Sequence, residues 1–291
     1  MRSIIQLPGF QSTADGQPAT CALQVGPKFT YNNLAFSLTA DGVLVPLVDL
    51  PLHVDEIRVE ADGDVLRRIT PLLLADYLGC KSLLAQLKNG AGADIASGII
   101  PFSDPTRRDV IGEELTDLGT VGVGQLLLVL VLKSPIISPA TTPPVYALDG
   151  VADVTTDKPK RLAVFERWAI DSFAMLNGTA KFNTVPIDDD LFGILFHSSL
   201  ITHVAVLVDN KKVFDAYKAD IENQLRNNGL GLDTAAYFPW IMDFSRQVTD
   251  RLVVADRDTA GKITGRISDL VIEVTATGAA QIPALRRTFD Y

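Results

Sequence analysis

The stretch that decides the fold is Ile201–Gly229, ITHVAVLVDNKKVFDAYKADIENQLRNNG. Apolar residues alternate with others along its first part, and Asp209-Asn210 then supplies the positive-φ residues of a tight turn. An extended run resumes at Val213, followed by a helical spacing of apolar residues that closes at Asn228-Gly229. The stretch therefore predicts a β-hairpin followed directly by a short helix.

The same plan occurs 147 residues earlier, in Val54–Gly79, VDEIRVEADGDVLRRITPLLLADYLG. Here Asp62-Gly63 makes the turn, and Thr70 is the predicted helix cap because its hydroxyl can accept a bond from a free amide of the first turn. In the later copy Asp215 is the predicted cap. Because these signals recur in the same order, the sequence predicts an internal duplication.

Length and composition favour a globular protein of two domains. The chain has 291 residues, of which 47% are apolar, enough for two cores and too many for a disordered chain. The formal net charge is −9, and no basic run is present. A phosphate-binding face needs clustered positive charge, so sequence-specific contact with nucleic acid is disfavoured.

The cysteines and the apolar runs indicate where the protein is made. With only Cys21 and Cys80, it fits a reducing compartment and cannot be a disulfide scaffold, while a single disulfide between these two cysteines stays open at this point. The N-terminal MRSIIQLPGF lacks the uninterrupted apolar core of a signal peptide. The most apolar run, Leu126–Leu132, is too short to cross a bilayer and is predicted to be a strand buried on both faces.

Proline and glycine punctuation suggests the domain organisation. Residues 1–18 are predicted to form an N-terminal arm, and short alternating runs separated by turns follow, as in a sandwich or barrel. The segment Ser134–Pro144, SPIISPATTPP, is predicted to be an extended linker between the halves. The predicted fold is all-β: two tandem antiparallel β-sandwiches, each with a short helix, in residues 1–140 and 141–291.

Possible metal sites are weak in this sequence. The three histidines, His53, His197 and His203, lack the spacing of a metal-binding barrel, so they are predicted to be structural. Two aspartate sets, Asp188-Asp189-Asp190 and Asp149, Asp153 and Asp157, could offer oxygen ligands to Ca²⁺, but neither has the spacing of an EF-hand. No cofactor is required by the sequence, and solvated loops are the preferred interpretation of both sets.

Catalytic motifs are also weak. The glycine-rich Asn89–Gly98 lacks the order of a phosphate-binding loop, and the three serines considered as nucleophiles have no G-x-S-x-G setting. These serines are Ser172, Ser198 and Ser199. Trp168 and Trp240 are flanked by apolar residues and are predicted to lie in cores. The sequence names no catalytic, cofactor-binding or metal-ligating residue, and the protein is predicted not to be an enzyme.

Four motifs carry a family resemblance. An LP-x-F arm at Leu7–Phe10 precedes A-T-x-x-L-x-x-G-P at Ala19–Pro27, and I-x-V…DG-x-x-x-R-x-I-T spans Ile57–Thr70. G-T-x-x-x-x-Q follows at Gly119–Gln125, before the apolar run. Together they resemble the major coat protein of corticovirus-like tailless bacteriophages, best over residues 4–133. In the second half mainly the order of elements matches.

The resemblance implies a double jelly roll and a structural role. By resemblance, three chains form a pseudo-hexagonal capsomer, a homotrimer that meets neighbouring capsomers and minor capsid proteins in an icosahedral virion shell. The N-terminal arm, with Arg2, is expected to face an internal membrane. The loops Asn89–Gly98 and Asp256–Gly261 are candidates for the outer surface or for subunit contacts. Structural Ca²⁺ is possible, and synthesis is expected in the host cytoplasm.

Two other hypotheses stay open at this point. A carbohydrate-binding or carbohydrate-processing double sandwich predicts exposed aromatic side chains beside paired carboxylates, most simply near Trp168 or Trp240. A minor virion protein or receptor-binding spike shares the fold but not the copy number of a coat subunit.

Overall fold

The computed structural model describes residues 2–14, 16–103, 116–133, 144–162, 165–186, 190–227, 238–241, 252–257 and 263–290. Contacts divide the chain into two units. Unit 1 comprises Met1–Ala75 and Leu83–Glu166, and unit 2 comprises Asp76–Ser82 and Arg167–Tyr291.

Unit 1 consists of strands with one helix among its described residues. The strands are β1 (Arg2–Gln6), β2 (Pro18–Leu23), β3 (Thr30–Ala40), β4 (Val43–Leu44), β5 (Val54–Ala61), β6 (Asp64–Ile69), β7 (Gly98–Pro101), β8 (Leu118–Gly119), β9 (Leu126–Leu132) and β10 (Tyr146–Thr155). Helix α1 is Pro71–Cys80, the last five residues of which belong to unit 2, and two 3₁₀ turns lie at Leu50–Leu52 and Leu84–Leu87. Thr70 caps α1 as predicted, since its Oγ1 accepts a bond from the Leu73 amide at 3.3 Å.

The strands of unit 1 pair in two antiparallel groups. One has the order β1-β10-β3, with β8, β7 and β4 following one another along the other side of β3. The other has the order β6-β5-β9-β2. Neighbours such as β10 and β3 are far apart in sequence, which is the connectivity of a jelly roll rather than of a simple meander.

Alternating apolar residues build the core of unit 1. Leu34, Phe36 and Leu38 on β3 are fully buried, whereas the residues between them are half-buried. Strand β9 is less enclosed than predicted, because Leu127 and Val131 are only half-buried.

Unit 2 is also built of strands with one complete helix among its described residues. Its strands are β11 (Phe165–Met175, the first two residues of which belong to unit 1), β12 (Gly178–Phe182), β13 (Asp190–Phe196), β14 (Ile201–Val208), β15 (Lys211–Tyr217), β16 (Phe238–Ile241), β17 (Ala255–Arg257), β18 (Ile263–Arg266), β19 (Leu270–Ala276) and β20 (Ala280–Asp290). Helix α2 is Lys218–Asn227. The strand orders are β11-β20-β13-β16 and β15-β14-β19-β12, with β17 and β18 forming a small ribbon.

The two units have the same topology, as the duplication predicts. Strands β1, β10, β3 and β7 of unit 1 correspond in chain order and pairing to β11, β20, β13 and β16 of unit 2. Adding 147 to the first and last residue numbers of β5 gives those of β14, and the same offset relates α1 to α2. The bulge at Val59/Glu60 recurs at Val206/Leu207. Shared bulges are a specific signature of common local geometry.

The structure changes three expectations about organisation. Strand β10 pairs with β3 over its whole length, so Ser134–Pro144 separates two strands of unit 1 rather than the two halves, and its residues 134–143 lie outside the described part. The contact-based boundary at Glu166 and Arg167 thus falls later than the 140/141 division. The predicted arm is partly a strand, because Arg2–Gln6 forms β1.

The helix ends add two details. Asp215 lies within β15 and so does not cap α2; the Asp220 carboxylate in the first turn accepts a bond from the Tyr217 amide at 3.3 Å instead. The predicted helix end at Asn228-Gly229 lies outside the described residues. In the part of the chain that the structure describes, neither helix has the length and apolar character needed to cross a membrane.

Candidate functional site

Two equivalent aspartates close the hairpins of both units. Asp62 and Asp209 have φ angles of 50° and 47°, the left-handed conformation that short polar residues tolerate in turns. Oδ1 of Asp62 accepts bonds from the amides of Gly124 and Gln125, at 3.0 and 2.7 Å. The sequence predicted both turns. It missed that each carboxylate also fixes the loop before the strand that lies beside the hairpin.

The second aspartate repeats this contact with additional hydroxyl support. Oδ1 of Asp209 accepts bonds from the Ser268 amide, the Ser268 hydroxyl and the Asp269 amide at 2.8, 2.7 and 3.0 Å. These donors, the Ser268 hydroxyl foremost, hold the pKa of Asp209 below its ordinary value. The carboxylate is therefore ionised at neutral pH and serves as a structural acceptor.

The next feature is a side-chain pair across each hairpin, in which the acidic member lies on the first strand in unit 1 and on the second strand in unit 2. In unit 1, Glu56 on β5 pairs with Arg68 on β6 at 2.6 Å. At the positions 147 residues later, His203 on β14 contacts Asp215 on β15 at 2.6 Å. The more exposed member is Arg68 in unit 1, with 53% of its side chain exposed, and Asp215 in unit 2, with 46% exposed. Equivalent surface positions thus carry opposite charges.

Asp215 is part of a larger polar face. Lys212 also pairs with it, at 3.0 Å, and Lys212 first and His203 second hold the pKa of Asp215 below its ordinary value. On the same group of strands Lys181 pairs with Glu273 at 2.6 Å. Ala205 lies between these pairs in the register of the sheet. This face of unit 2 is therefore polar and extensively ion-paired.

Each histidine contacts a different polar side chain. Nδ1 of His53 lies 3.0 Å from the Tyr146 hydroxyl. Nδ1 of His197 lies 2.6 Å from the Asp76 carboxylate, and this bond raises the pKa of His197 against the opposing effect of burial. His203 belongs to the hairpin pair described above.

The predicted aspartate sets do not converge where they are described. Asp149 and Asp153 lie along β10, and Asp190 lies on β13, where its Oδ1 accepts the Val254 amide at 3.1 Å. Asp188 and Asp189 lie outside the described residues. Among the residues that are described, no group of three or more His, Cys, Asp or Glu side chains is arranged to hold a metal ion.

The tryptophan predicted to lie in a core does so. Trp168 is 1% exposed and packs on Tyr77, with ring centroids 4.7 Å apart. A buried ring cannot act as the exposed sugar platform that the carbohydrate hypothesis requires at this position. The side chain of Trp240 lies outside the described part.

The serines have local structural contacts. Ser172 accepts a bond from the Gln281 side chain at 2.6 Å, and Ser198 accepts the Leu200 amide at 3.1 Å. Neither contact resembles a nucleophile paired with a base.

The glycine-rich loop is closed by its own first residue. Oδ1 of Asn89 accepts bonds from the amides of Ala91 and Ala93 at 2.9 and 3.0 Å. These amides are therefore not free to bind a phosphate. In the second loop, Asp256 and Arg257 lie on β17, whereas residues 258–261 are outside the described part.

Both cysteines are buried thiols, and neither is part of a disulfide. Burial raises the pKa of the Cys21 thiol to about 11, and its Sγ lies 3.1 Å from the Pro8 carbonyl. A thiol of this kind reacts slowly, because the thiolate is the nucleophile.

The N-terminal strand forms an open sheet edge. Strand β1 has β10 on one side and no described strand on the other. Ile4 is 78% exposed and Val151 on β10 is 38% exposed, and both line a shallow depression of about 420 Å³ with Asn33 and Asp153. The residues that sequence reasoning assigned to an arm therefore present a strand edge and an apolar side chain.

Comparison with known proteins extends these observations. Residues 4–155 match the family model of the viral coat protein P2 N-terminal domain. This range covers more than half of the chain and includes β10, in agreement with the strand pairing. A search of curated proteins gave no match.

Several solved structures share the fold over nearly the whole chain. The major capsid protein P2 from bacteriophage PM2 has a TM-score of 0.78 and 19% identity, covering 100% of this chain and 97% of that chain. The STIV MCP has a TM-score of 0.65 and 9% identity, with the same coverage. The PBCV-1 virus capsid has a TM-score of 0.61 and 7% identity, covering 99% of this chain and 93% of that chain. The predicted double jelly-roll fold is confirmed.

Proposed function

Since this chain belongs to the viral coat protein P2 family, we propose that it is a major capsid protein, a structural subunit of an icosahedral virion shell and not an enzyme. The observation that carries the proposal is the duplicated jelly roll, which occupies the chain from β1 to β20. In this role the protein is synthesised in the host cytoplasm and resides in the virion, where it meets copies of itself in neighbouring capsomers.

The duplication gives a physical reason for a homotrimer. Three copies contain six modules of the same topology, so a ring with threefold symmetry approximates a hexagon. Closed cyclic contacts of this kind build finite oligomers that can tile a flat facet. Many modest lateral interfaces would then share the stability of the shell.

The decisive measurement is the oligomeric state of the purified full chain. Sedimentation and native mass spectrometry at several salt concentrations are expected to give a trimer, and electron micrographs are expected to show pseudo-hexagonal particles. A chain that stays monomeric at every salt concentration, with and without Ca²⁺, would contradict the proposal. Quantification in purified particles separates a major subunit from a spike or other minor protein.

Two further partners follow from the capsid role. Minor capsid proteins would occupy positions that a trimer cannot fill. An internal membrane would contact the N-terminal segment outside β1, residues 7–17, in which Phe10 is half-buried and its neighbours are exposed. Flotation with anionic vesicles tests this: trimers are expected to float with the vesicles, and Phe10→Asp is expected to weaken the association. Flotation of neither protein would contradict the membrane contact.

The carbohydrate hypothesis loses its clearest site, because Trp168 is buried against Tyr77. A glycan array with the purified chain gives a direct test, and we expect no binding.

A further inference from the structure

Strand β1 lacks the protection found on two other edge strands, β2 and β12. Natural edges are guarded by prolines, lysines or bulges that discourage pairing with another chain. Strand β2 begins with Pro18, and β12 contains Lys181. Strand β1 pairs with β10 without a register shift, and Ser3–Gln6 is free of charge and proline. Such an edge is suited to receive another strand.

The direction of the free backbone groups in β1 follows from one hydrogen bond. The Leu7 amide donates to the Gly150 carbonyl at 2.9 Å, so the backbone N–H of Leu7 points towards β10. Successive residues of a strand point their backbone groups to opposite sides. The backbone N–H and C=O groups of Ser3 and Ile5 therefore also point towards β10, whereas those of Ile4 and Gln6 point to the open edge.

The side chains beside this edge combine apolar surface with negative charge. Ile4 stands opposite Asp153 in the register, next to the exposed Val151. Asp149 lies further along β10 on the same face, and neither aspartate forms a salt bridge with another described residue. Along the direction of β1, the positive charge of Arg2 is therefore followed by the negative charges of Asp153 and Asp149 on the neighbouring β10.

Strand β15 of unit 2 carries the complementary pattern. It is also an edge among the described strands, pairing only with β14. Its charges run from Lys211, which forms no salt bridge with a described residue, through Lys212 to Asp215, which pairs with Lys212 and contacts His203. Val213 between them is the extra residue of the bulge and is 47% exposed.

We propose that β1 of one copy pairs antiparallel with β15 of the next copy, with Arg2 opposite Asp215, Ile4 opposite Val213 and Gln6 opposite Lys211. This register joins the two exposed aliphatic side chains and brings the charges of opposite sign together. The contact is head-to-tail, because each copy offers β1 to one neighbour and β15 to the other, so it can close into a ring. The inference rests on the proposed capsid function, since it names the surface through which coat subunits meet.

A proline at position 4 tests the backbone contact. Ile4→Pro removes an N–H that faces the open edge and leaves the β1–β10 bonds in place. We expect the concentration at which half of the trimers dissociate to rise about tenfold or more, because an unmade backbone hydrogen bond leaves its partner unsatisfied. Ile4→Ala retains the N–H, and Leu176→Ala removes an aliphatic side chain that is equally exposed elsewhere. Both controls are expected to weaken the trimer less.

Cysteine pairs test the register. Ile4→Cys with Val213→Cys is expected to link neighbouring copies into covalent trimers under mild oxidation, because facing residues of paired strands satisfy disulfide geometry. In the control pair, Ile4→Cys with Tyr217→Cys, the second cysteine lies four residues, about 13 Å, beyond Val213 along β15. This pair is expected not to link neighbouring copies. The native cysteines, both buried, contribute little background.

The outcomes separate the two proposals. A wild-type chain that never forms trimers contradicts the capsid function itself. Wild-type trimers that persist unchanged in Ile4→Pro, with an unaltered unfolding midpoint, overturn only the strand pairing. Equal linking by the Val213 and Tyr217 cysteine pairs overturns the register. Loss of trimers in folded Ile4→Pro, together with selective linking through the Val213→Cys pair, supports the pairing of β1 with β15 in the proposed register.

Discussion

Replacement of Gly119 by alanine is expected to destabilise unit 1, because this glycine lies directly against backbone. A Cβ at position 119 would lie 2.6 Å from the Arg161 carbonyl oxygen and 2.6 Å from the Lys160 carbonyl carbon, whereas real Cβ atoms keep more than 3.0 Å. No side chain can rotate away to relieve this contact. The segment that contains Lys160 and Arg161 must instead withdraw from β8.

The magnitude follows from the contacts that withdrawal disrupts. The Val121 amide donates to the Lys160 carbonyl at 3.0 Å, and Val121 bridges Arg161. Forcing an extra methyl group into packed structure costs about 1–3 kcal/mol, and the lost hydrogen bond adds about 1 kcal/mol. The unfolding free energy of unit 1 should therefore fall by about 2–4 kcal/mol, or about 5–15 °C in the unfolding midpoint for a domain of this size.

Thermal unfolding followed by circular dichroism measures this effect, with Gly90→Ala as the matched control. A Cβ at position 90 meets nothing within 4 Å, so the control should stay within about 0.5 kcal/mol of the wild type. If Gly119→Ala unfolded at the temperature of Gly90→Ala, the packing of residues 160–161 against β8 would be refuted.

The remaining predictions concern other parts of the structure. Trp168→Ala should lower the unfolding free energy by about 3–5 kcal/mol, measured by urea denaturation, because it empties a buried site beside Tyr77; a loss below about 1 kcal/mol would contradict its burial. Protonated His197 binds Asp76, and its pKa is raised, so this pair contributes fully below the ordinary histidine pKa of 6.5 and is lost as the pH rises through the raised value. The wild-type unfolding midpoint should fall over that pH range relative to His197→Gln, and parallel pH profiles would contradict the assignment. Structural Ca²⁺ stays a prediction: bound ion would raise the midpoint in millimolar Ca²⁺ over that in chelator, and equal midpoints would exclude a stabilising site.

The duplication was predictable because its signals are local. Each hairpin and helix is specified within about 27 residues, by alternation, a turn with Asp62 or Asp209, and helical spacing. The structure retains both copies at the same offset. Strand β9 was also predictable from its apolar run, although its enclosure was overestimated.

The role of β10 was not predictable in the same way. Its partner β3 lies more than 100 residues earlier in the chain, and its outward positions carry Asp149 and Asp153, which weaken a strand pattern. The prolines before it are typical of a linker, yet they also suit a loop between two strands of one sandwich. Tertiary pairing decided between these alternatives, and a single sequence does not display it.

The side-chain contacts were the least accessible to sequence reasoning. Asp215 is an acceptable helix cap by composition, but β15 continues beyond it and presents it to His203. The signal that could have shown this pair is the alignment of the two copies, which places it over Glu56 and Arg68.

The inverted pairs give the two modules different exposed charges at equivalent positions. A neighbour that approaches the hairpin of unit 1 encounters the exposed guanidinium of Arg68, and at the corresponding place in unit 2 it encounters the carboxylate of Asp215. A surface that attracts one therefore repels the other. In a trimer of the proposed kind, a shift by one module would exchange Arg68 for Asp215 at each such position, so the exposed charges would favour one register over the shifted one.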